Sequence, residues 1–528
     1  MNRLITTVIC GLVGIHTIMG APQSRPKLVV GIMVDQLRTD YLENLQSLFG
    51  DKGFRKLMKD GAFLKDVDFK VRDLDATSGT AIIYTGNYPR YNGIMASQVY
   101  SPQSMISVPV LTDSKAMGNF TSETYSPVNL RLSTLADEIV IDGNGDSKVY
   151  AIGLDPQQAI IQAGHAGSSA FWINGETGNW ATTTYYTDSP KILTQKNYSL
   201  PLVQKLDTLS WTPLLATTDY QRNTKQKKVA GFKNTFPKND RNVYKMYLNS
   251  PLANSDVTDA AVSYLGALPL GGKDNVVDML NLSYTAAPYA YGPNDTRRMA
   301  LDDTYVRLDS ELARLFNAID KYVGLDNTLI YVASTGYFED PSNENLNYRI
   351  PTGTFSVKRA ISLLNSYLSA KYGNGSYIEG YSGGHIYLNH KTIEDKKLEL
   401  SSIAKDSRDF IVRMSGVSEA YTMHDIMTSG VPSMEGIRLA TDPKLGGDIV
   451  LEFNPGWEVT DDTKFPNETK IERSEVALTP VFIMGAEVAP EEISTTVDAS
   501  AIAPTIARLL RIRSPNGVAS APLELKRK

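Results

Sequence analysis

Cysteine and histidine are the scarce residues of this chain. Its 528 residues include one cysteine, Cys10, and five histidines. Zinc sites in proteins are built mainly from thiolate and imidazole ligands, with some carboxylates. The composition therefore leaves few ways to build a zinc site, and Cys10 alone can form no disulfide within the chain.

An excess of basic residues is also missing. The chain has 53 Lys and Arg against 58 Asp and Glu, giving a formal net charge of -5. Nucleic-acid-binding proteins present a basic stripe to the phosphate backbone, so we expect no nucleic-acid partner. Hydrophobic residues make up 42% and charged residues 21% of the chain, a balance that predicts a packed core and excludes wholesale disorder.

Long apolar runs are absent except at the N-terminus. Residues Met1–Arg3 give a positive start, Leu4–Met19 are mostly apolar, and Gly20-Ala21 are small. This order predicts a signal peptide over residues 1–21, removed on export to the periplasm or beyond. Cys10 would leave with it. No later stretch approaches the ~18 apolar residues of a spanning helix, so we expect no transmembrane segment in the mature chain.

One apolar run inside the chain ends in a single acidic residue. Leu28 to Val34 are apolar or glycine, and Asp35 follows them. Such a run fits a strand buried on both faces of a parallel sheet. Ligands of open α/β sheets bind beyond the carboxyl ends of the strands, so Asp35 is a candidate site residue. The alternative is that Asp35 only caps the helix that follows.

Further strands and helices are predicted to alternate along the chain. The predicted strands are Lys148–Leu154, Val276–Leu282, Thr328–Ala333 and Val481–Met484, and the predicted helices are Tyr41–Ala62, Asp302–Val323 and Ala499–Arg511, the last capped by Asp498. This alternation predicts an α/β fold with a mostly parallel central sheet and helices on both faces.

Two segments interrupt the alternation. Residues 175–269 are rich in Thr, Asn, Tyr, Lys and Pro and are predicted to be loop-rich apart from a strand near Ala181–Tyr186. Residues 342–449 form the second interruption. We interpret both as insertions that form an accessory lobe within one domain spanning residues 26–520.

The order of short motifs resembles a known enzyme family. The motifs are Val29–Gln36, Gly79–Ile94, Gln162–Gly167, Tyr291-Gly-Pro293, Asp303–Asp309 and Thr479-Pro480. In order and spacing they resemble the alkaline phosphatase superfamily, in particular the nucleotide pyrophosphatase/phosphodiesterases and the bacterial alkaline phosphatases with a single threonine nucleophile. The resemblance implies the alkaline-phosphatase-like fold.

The resemblance also implies a reaction centre that this chain has largely lost. Active members use two zinc ions, a threonine nucleophile and side chains that hold the phosphate oxygens. Of these, only the first-strand ligand remains, as Asp35. Ala76 stands at the nucleophile position, Thr285, Tyr289, Ser334, Thr335 and Thr469 stand at or near zinc-ligand positions, and Asp155, Gln157 and Ser97 or Gln98 stand where the phosphate is held.

The histidines do not replace the missing ligands. His165 matches a family position that is not a ligand. His385 and His390 are five residues apart on a predicted strand, which puts their side chains on opposite faces. His424 is followed by Asp425, and this isolated pair is a weak signal.

Two functions remain open at this point. The first is an exported pseudoenzyme of the cell envelope, a degenerate family member that binds an unknown protein or ligand and uses no cofactor. The second is a phosphomonoesterase or phosphodiesterase in which Thr77 or Thr80 attacks and Asp35 holds an oxygen-bound metal such as Mg²⁺ or Ca²⁺. Asp73 and Asp75 could add oxygens to that metal, unless they form only a solvated acidic loop. We favour the first.

Overall fold

The computed structural model describes residues 25–71, 74–187, 189–221, 231–338, 351–464, 468–471, 477–485 and 487–528. The predicted signal peptide and Asp73 lie outside these ranges. Within them, no helix combines the length and the apolar character needed to cross a bilayer.

The strands are numbered in chain order. They are β1 Leu28–Asp35, β2 Ala62–Leu64, β3 Val67–Asp68, β4 Gln98–Ser101, β5 Ile106–Pro109, β6 Gly118–Asn119, β7 Val149–Gly153, β8 Ser169–Ile173, β9 Trp180–Thr183, β10 Ser210–Trp211, β11 Asn234–Thr235, β12 Asp278–Thr285, β13 Thr328–Ser334, β14 Thr354–Ser356, β15 Ile378–Ser382, β16 His385–Leu388, β17 Val417–Thr422, β18 Ile449–Phe453, β19 Glu458–Asp461, β20 Glu468–Ile471, β21 Val481–Met484, β22 Glu491–Ile493 and β23 Val497–Asp498.

The α-helices are numbered in the same way. They are α1 Thr39–Leu45, α2 Phe54–Asp60, α3 Ala76–Thr85, α4 Pro89–Asn92, α5 Leu135–Asp142, α6 Pro156–Ala163, α7 Ile192–Ser199, α8 Leu202–Leu206, α9 Thr217–Gln221, α10 Val243–Leu248, α11 Leu252–Ala267, α12 Arg297–Tyr322, α13 Val357–Tyr372, α14 His390–Asp395, α15 Leu400–Ile411, α16 Met423–Thr428, α17 Glu435–Ala440 and α18 Ile502–Leu510.

A 10-stranded sheet runs through the main body of the protein in the order β22-β2-β21-β13-β1-β12-β7-β8-β9-β6. The central strands β13, β1, β12, β7 and β8 are mutually parallel. Strand β21 is antiparallel to β13, and β9 is antiparallel to β8. The predicted fold class is confirmed. The apolar run before Asp35 forms the middle of this sheet because both its faces are covered.

Helices cover both faces of the sheet. Alternate residues of β1 belong to different clusters: Val29 and Met33 pack on one face, and Val30 and Ile32 on the other. Residues of α3, α5, α6 and α18 complete the first cluster, and residues of α1, α2, α11 and α12 complete the second. The main body is therefore a three-layer arrangement of the kind predicted by alternating strands and helices.

The predicted helix Tyr41–Ala62 was wrong as one element. Helix α1 ends at Leu45, and α2 begins only at Phe54. The buried carboxylate of Asp309 accepts hydrogen bonds from the backbone N–H groups of Gly50 and Phe54 at 2.8 and 2.7 Å. A Cβ at Gly53 would lie 2.2 Å from Asp309 Oδ1. Long-range contacts with α12 thus fold the chain into a turn between the two helices.

The prediction that residues 175–269 are loop-rich was also wrong. They contain α7, α8, α10 and the 16-residue helix α11. The buried face of α11 includes Ala253, Ala260 and Ala261, and it packs against the sheet and α12. Small residues of this kind give little hydrophobic contrast along the sequence, so the helical pattern is weak.

A separate lobe follows the sheet strand β13. It contains the sheet β15-β16-β18-β17 and the sheet β14-β19-β20, and α13 and α15 share its hydrophobic core. Because β18 begins at Ile449, this lobe continues beyond the predicted segment 342–449. It meets the main body at a stacked pair of rings, Tyr100 and Tyr387, with centroids 4.5 Å apart.

Candidate functional site

Three neighbouring strand ends place three residues side by side. The register pairs Asp35 with Thr285 across β1 and β12, and Val34 with Ser334 across β1 and β13. Thr335 follows directly. We call Thr285, Asp35 and Thr335 the strand row. It lies at the carboxyl ends of parallel strands, where α/β proteins bind ligands.

The hydroxyl of Thr335 is hydrogen-bonded to the carboxylate of Asp35. Thr335 Oγ1 donates to Asp35 Oδ1 at 2.8 Å and accepts from the backbone N–H of Gln36 at 3.4 Å. Thr335 is fully buried. The alternative role of Asp35 as a helix cap is wrong, because α1 has Arg38 at its N-cap and no side-chain cap.

The hydroxyls beside Asp35 also serve the backbone. Ser334 Oγ donates to the carbonyl of Leu37 at 2.8 Å and accepts from the N–H of Gly336 at 3.2 Å. Thr285 Oγ1 accepts from the N–H of Ala287 at 3.1 Å. These side chains stabilise the strand ends that the family uses to hold metal.

Tyr289, which stands at the position of a family histidine ligand, packs into a different part of the protein. Its ring makes an edge contact with Trp211 at 5.1 Å between centroids, within a hydrophobic cluster formed by the first insertion. Burial raises the pKa of Tyr289 to about 12. The phenol is therefore neutral at physiological pH and does not supply an anionic ligand.

The start of α3 carries the family's nucleophile position. Asp75 is its N-cap and accepts from the N–H of Ser78 at 2.8 Å, and Ala76 is the first helical residue. Thr77 is only 2% exposed, and Thr80 Oγ1 donates to the carbonyl of Ala76 at 2.7 Å. The geometry offers no support for Thr77 or Thr80 as nucleophile, although that role stays a prediction.

Helix α3 packs directly on the strand row. A Cβ at Gly79 would lie 1.8 Å from the carbonyl oxygen of Thr335. Glycine is thus required here for the close approach of two backbones. The N-terminal half of α3, which begins at Ala76, is therefore packed against Thr335 of the strand row.

The positions that hold phosphate in the family form their own hydrogen-bond chain. The second carboxylate oxygen of Asp75 accepts from the N–H of Ser97 at 2.5 Å, and the carbonyl of Ser97 accepts from Gln157 Nε2 at 3.1 Å. Gln98 is the first residue of β4. Gln157, a neutral residue in the first turn of α6, therefore ties that helix to the loop at Ser97.

Asp155, at one of the predicted phosphate-holding positions, is an acid. It is the N-cap of α6, and its side chain accepts from the N–H of Gln158 at 2.9 Å. Burial raises the pKa of Asp155 to about 6, with smaller contributions from the negative charges of Asp75 and Glu123. Above that pH the carboxylate repels a phosphate group.

A cavity of about 390 Å³ joins the strand row to the start of α6. Its lining includes Asp35, Thr285, Asp155, Gln158 and, at the rim, the exposed side chain of Lys245. Gln158 and Lys245 were not predicted as site residues. The position of Gln158, three residues after an N-cap acid, is the only sequence signal for it.

The histidines lie elsewhere, and one prediction about them was wrong. His385 begins β16 and His390 begins α14, so they do not share a strand. His385 Nδ1 accepts from the N–H of Gly447 at 3.3 Å, and His390 Nε2 lies 2.8 Å from Asp448. Asn389, the N-cap of α14, separates the two elements.

His165 is held in the main body and not in the cleft. Its Nδ1 lies 2.9 Å from Asp137 Oδ2, and its Nε2 lies 2.9 Å from the carbonyl of Leu130. A carbonyl only accepts, so Nε2 carries a proton. This histidine stabilises the packing of α5 and has no free ring nitrogen for a metal.

The described residues do not fit the two zinc ions of the active family members. They contain no group of three or more His, Cys, Asp or Glu side chains that could hold a metal ion. Beside Asp35 the donor set consists of threonine and serine hydroxyls that already serve protein groups. Neutral hydroxyls are poor zinc ligands compared with imidazole and thiolate. Thr469, near the last ligand position, lies on the exposed strand β20.

Comparison with known proteins identifies the class. Residues 29–475 match the family described as type I phosphodiesterase / nucleotide pyrophosphatase. The chain belongs to this family, which agrees with the alkaline-phosphatase-like fold described above.

Two of the matching relatives are named as bacterial alkaline phosphatases. The chain is 28% identical to alkaline phosphatase PafA of Elizabethkingia meningoseptica, over 98% of this chain and 97% of that protein. It is 27% identical to alkaline phosphatase PhoV of Synechococcus elongatus, over 94% of this chain and 92% of that protein. The crystal structure of wild-type PafA superimposes with a TM-score of 0.81 at 27% identity, covering 94% and 98% of the two chains.

Proposed function

We propose that this chain is an exported binding protein of the cell envelope that has kept the family's fold and does not hydrolyse phosphate esters. The proposal rests on one observation, the strand row. Thr335 donates its hydroxyl proton to Asp35 at 2.8 Å, and the neighbouring positions hold hydroxyl groups that serve the protein backbone. These hydroxyl groups are poor zinc ligands, and we expect no bound zinc.

The charge at the other side of the cleft supports the same proposal. Phosphoryl transfer relies on preorganised positive charge that stabilises the anionic transition state. Asp155 and Gln157 stand where the family has cations, and Asp155 is anionic above its raised pKa of about 6. At neutral pH this carboxylate opposes the charge that the reaction develops.

A second candidate is a phosphatase with a remodelled active site. The names of the relatives PafA and PhoV favour this alternative over the inactive protein. It would use Thr77 as nucleophile and Asp35 with an oxygen-bound metal. We rank it second for two reasons. Thr77 is only 2% exposed. Overall sequence identity reflects a shared fold, whereas catalysis depends on a few site residues, and those are the ones that differ here.

The direct test is hydrolysis of aryl phosphate monoesters and diesters by the mature protein, with Zn²⁺, Mg²⁺ or Ca²⁺ present, alongside metal analysis of the native preparation. We expect no turnover above the buffer rate and less than one metal ion per chain. Asp35→Asn and Thr77→Ala should leave these values unchanged.

Turnover that Thr77→Ala abolishes would establish the second candidate. Stoichiometric metal that is lost in Asp35→Asn would equally overturn the proposal. Asp395→Asn, at an exposed position in the accessory lobe, is the matched control for removing one carboxylate.

A further inference from the structure

The start of α6 carries hydrogen-bond acceptors that the protein leaves unused. Gln158 is 5% exposed, lines the cleft beside Asp155, and its Oε1 is buried without a hydrogen-bond partner. Oε1 of Gln157 is buried and unpartnered as well. A buried acceptor without a donor costs free energy, and a ligand that supplies the donor recovers it.

The charge around these acceptors is negative. Asp155 lines the same cleft, and the carboxylates of Asp75 and Glu123 are close enough to disfavour its ionised form. Asp35 closes the cleft from the strand side. A cation placed here would be attracted by these carboxylates and would stabilise the ionised form of Asp155.

We infer that this acidic end of the cleft, formed by Asp155, Gln158 and Asp35, binds the ammonium or guanidinium group of a small organic cation. This inference rests on the proposed function, because a working phosphatase would need the opposite charge here. It names the class of ligand for the same cleft.

The dimensions and the wall chemistry suit such a molecule. The cavity of about 390 Å³ falls within the range of ~300–1,000 Å³ typical of small-molecule sites. Its lining also contains Leu154, Leu248, Ala287, Pro288 and Ala290. An aliphatic chain can lie against these apolar side chains while its charged end reaches Asp155.

A metal ion or an anion suits the cleft less well. The described residues contain no group of three or more His, Cys, Asp or Glu side chains that could hold a metal ion, so a dehydrated divalent ion would lack ligands. An ammonium or guanidinium group needs only acceptors in hydrogen-bond range. An anion would meet Lys245 at the rim, the single basic residue among the described lining residues, but would then meet Asp155 and Asp35.

Binding of 1,5-diaminopentane and of agmatine, measured by calorimetry at pH 7.5 on the mature protein, tests the inference. We expect saturable binding of at least one of them, weakened at least tenfold by Asp155→Asn. Gln158→Leu should weaken it severalfold while the protein stays folded. Lys245→Gln should tighten it, since it removes a competing positive charge, and Asp395→Asn should not change it.

Three results would overturn the inference: no binding of either amine at millimolar concentration, binding that Asp155→Asn leaves unchanged, or tighter binding of inorganic phosphate or Ca²⁺ than of the amines at the same site. Ester hydrolysis measured on the same preparation separates the two proposals. Turnover would refute the proposed function. A protein that neither hydrolyses the esters nor binds either amine would refute only the inference that the ligand is an organic cation.

Discussion

The two sides of the cleft use their polar groups in opposite ways. On the strand side, the hydroxyls of Thr335, Ser334 and Thr285 all bond to groups of the protein. On the helix side, Asp155 has a raised pKa and Gln158 Oε1 has no partner. Satisfied groups stabilise the fold, and unsatisfied ones cost stability and remain available to a ligand.

This difference separates the polar groups that the fold uses from those that it leaves unpaired. The hydroxyls at the strand ends are hydrogen-bonded within the protein, so substitutions in the strand row should cost stability. The start of α6 carries a buried carboxylate with a raised pKa and an unpaired amide oxygen, and substitutions there should gain stability. The following predictions test this contrast, in order of decreasing effect.

Gly79→Ala should have the largest effect. Its Cβ would lie 1.8 Å from the carbonyl oxygen of Thr335, so α3 must move off the strand row. Overpacking of this kind costs about 3 kcal/mol or more of unfolding free energy. Urea titration would measure the loss.

The matched control for that change is Gly430→Ala. Gly430 is exposed, and its Cβ would meet nothing within 4 Å, so we expect an effect near zero. Equal losses for the two variants would show that α3 does not depend on close contact with Thr335.

Thr335→Val keeps the side-chain shape and removes the hydroxyl. Asp35 Oδ1 then loses its donor at 2.8 Å, which should cost about 1–3 kcal/mol. In a double-mutant cycle with Asp35→Asn, the two effects should not add, because both act on one hydrogen bond. Strict additivity would mean that the strand row is not a coupled unit.

Asp155→Asn should stabilise the protein instead. The folded pKa of Asp155 is about 6, above the ~3.9 of an unfolded aspartate. The ionised form is thus disfavoured by folding, and the penalty grows as pH rises from about 4 to 6 and is complete above it. Asparagine keeps the N-cap of α6.

We expect the gain to be about 1–2 kcal/mol at pH 8 and to vanish near pH 4, as measured by thermal unfolding across pH. Asp395→Asn should show no such trend. A loss of stability at pH 8 in Asp155→Asn would mean that the ionised Asp155 stabilises the fold. The helix side of the cleft would then not differ from the strand side in this respect.

His165→Gln should have the smallest effect on stability. His165 lies outside the cleft, so this variant serves as a reference for the cleft variants. Burial alone would lower the pKa of His165, but the hydrogen bond and the charge of Asp137 raise it overall. Burial likewise acts to raise the pKa of Asp137, and His165 outweighs it so that the pKa is lowered. The pair therefore stabilises the protein between about pH 4 and 6.5.

Stability from His165 is lost as pH rises through its folded pKa, and stability from Asp137 is lost as pH falls through its own. Since the His165 side chain is 35% exposed, solvent screening limits the loss in His165→Gln to about 1 kcal/mol at pH 6. His390→Gln, at a 61% exposed side chain, should lose less. A loss in His165→Gln that does not shrink by pH 9 would contradict the charged pair.

Local sequence was sufficient to predict an element where buried residues form a simple apolar pattern along the chain. The run before Asp35, the strand Val481–Met484 and the Asp498 cap of the last helical segment are where the sequence predicted them. It was insufficient where small residues or distant contacts decide. The buried face of helix α11 contains several alanines, which give a weak hydrophobic pattern. The turn after α1 is held by Asp309, which follows Gly50 by 259 residues.

By itself, the sequence determined the class of fold and the scarcity of histidine and cysteine, because apolar runs, motif order and residue types are properties of the chain alone. Only the tertiary structure decided which partners the polar and aromatic residues around the cleft have. Whether Thr335 reaches Asp35, Tyr289 packs on Trp211, or Gln158 lacks a partner depends on strand register and helix packing. Hydrogen bonds and burial are set by positions in space, and residues hundreds of positions apart supply them.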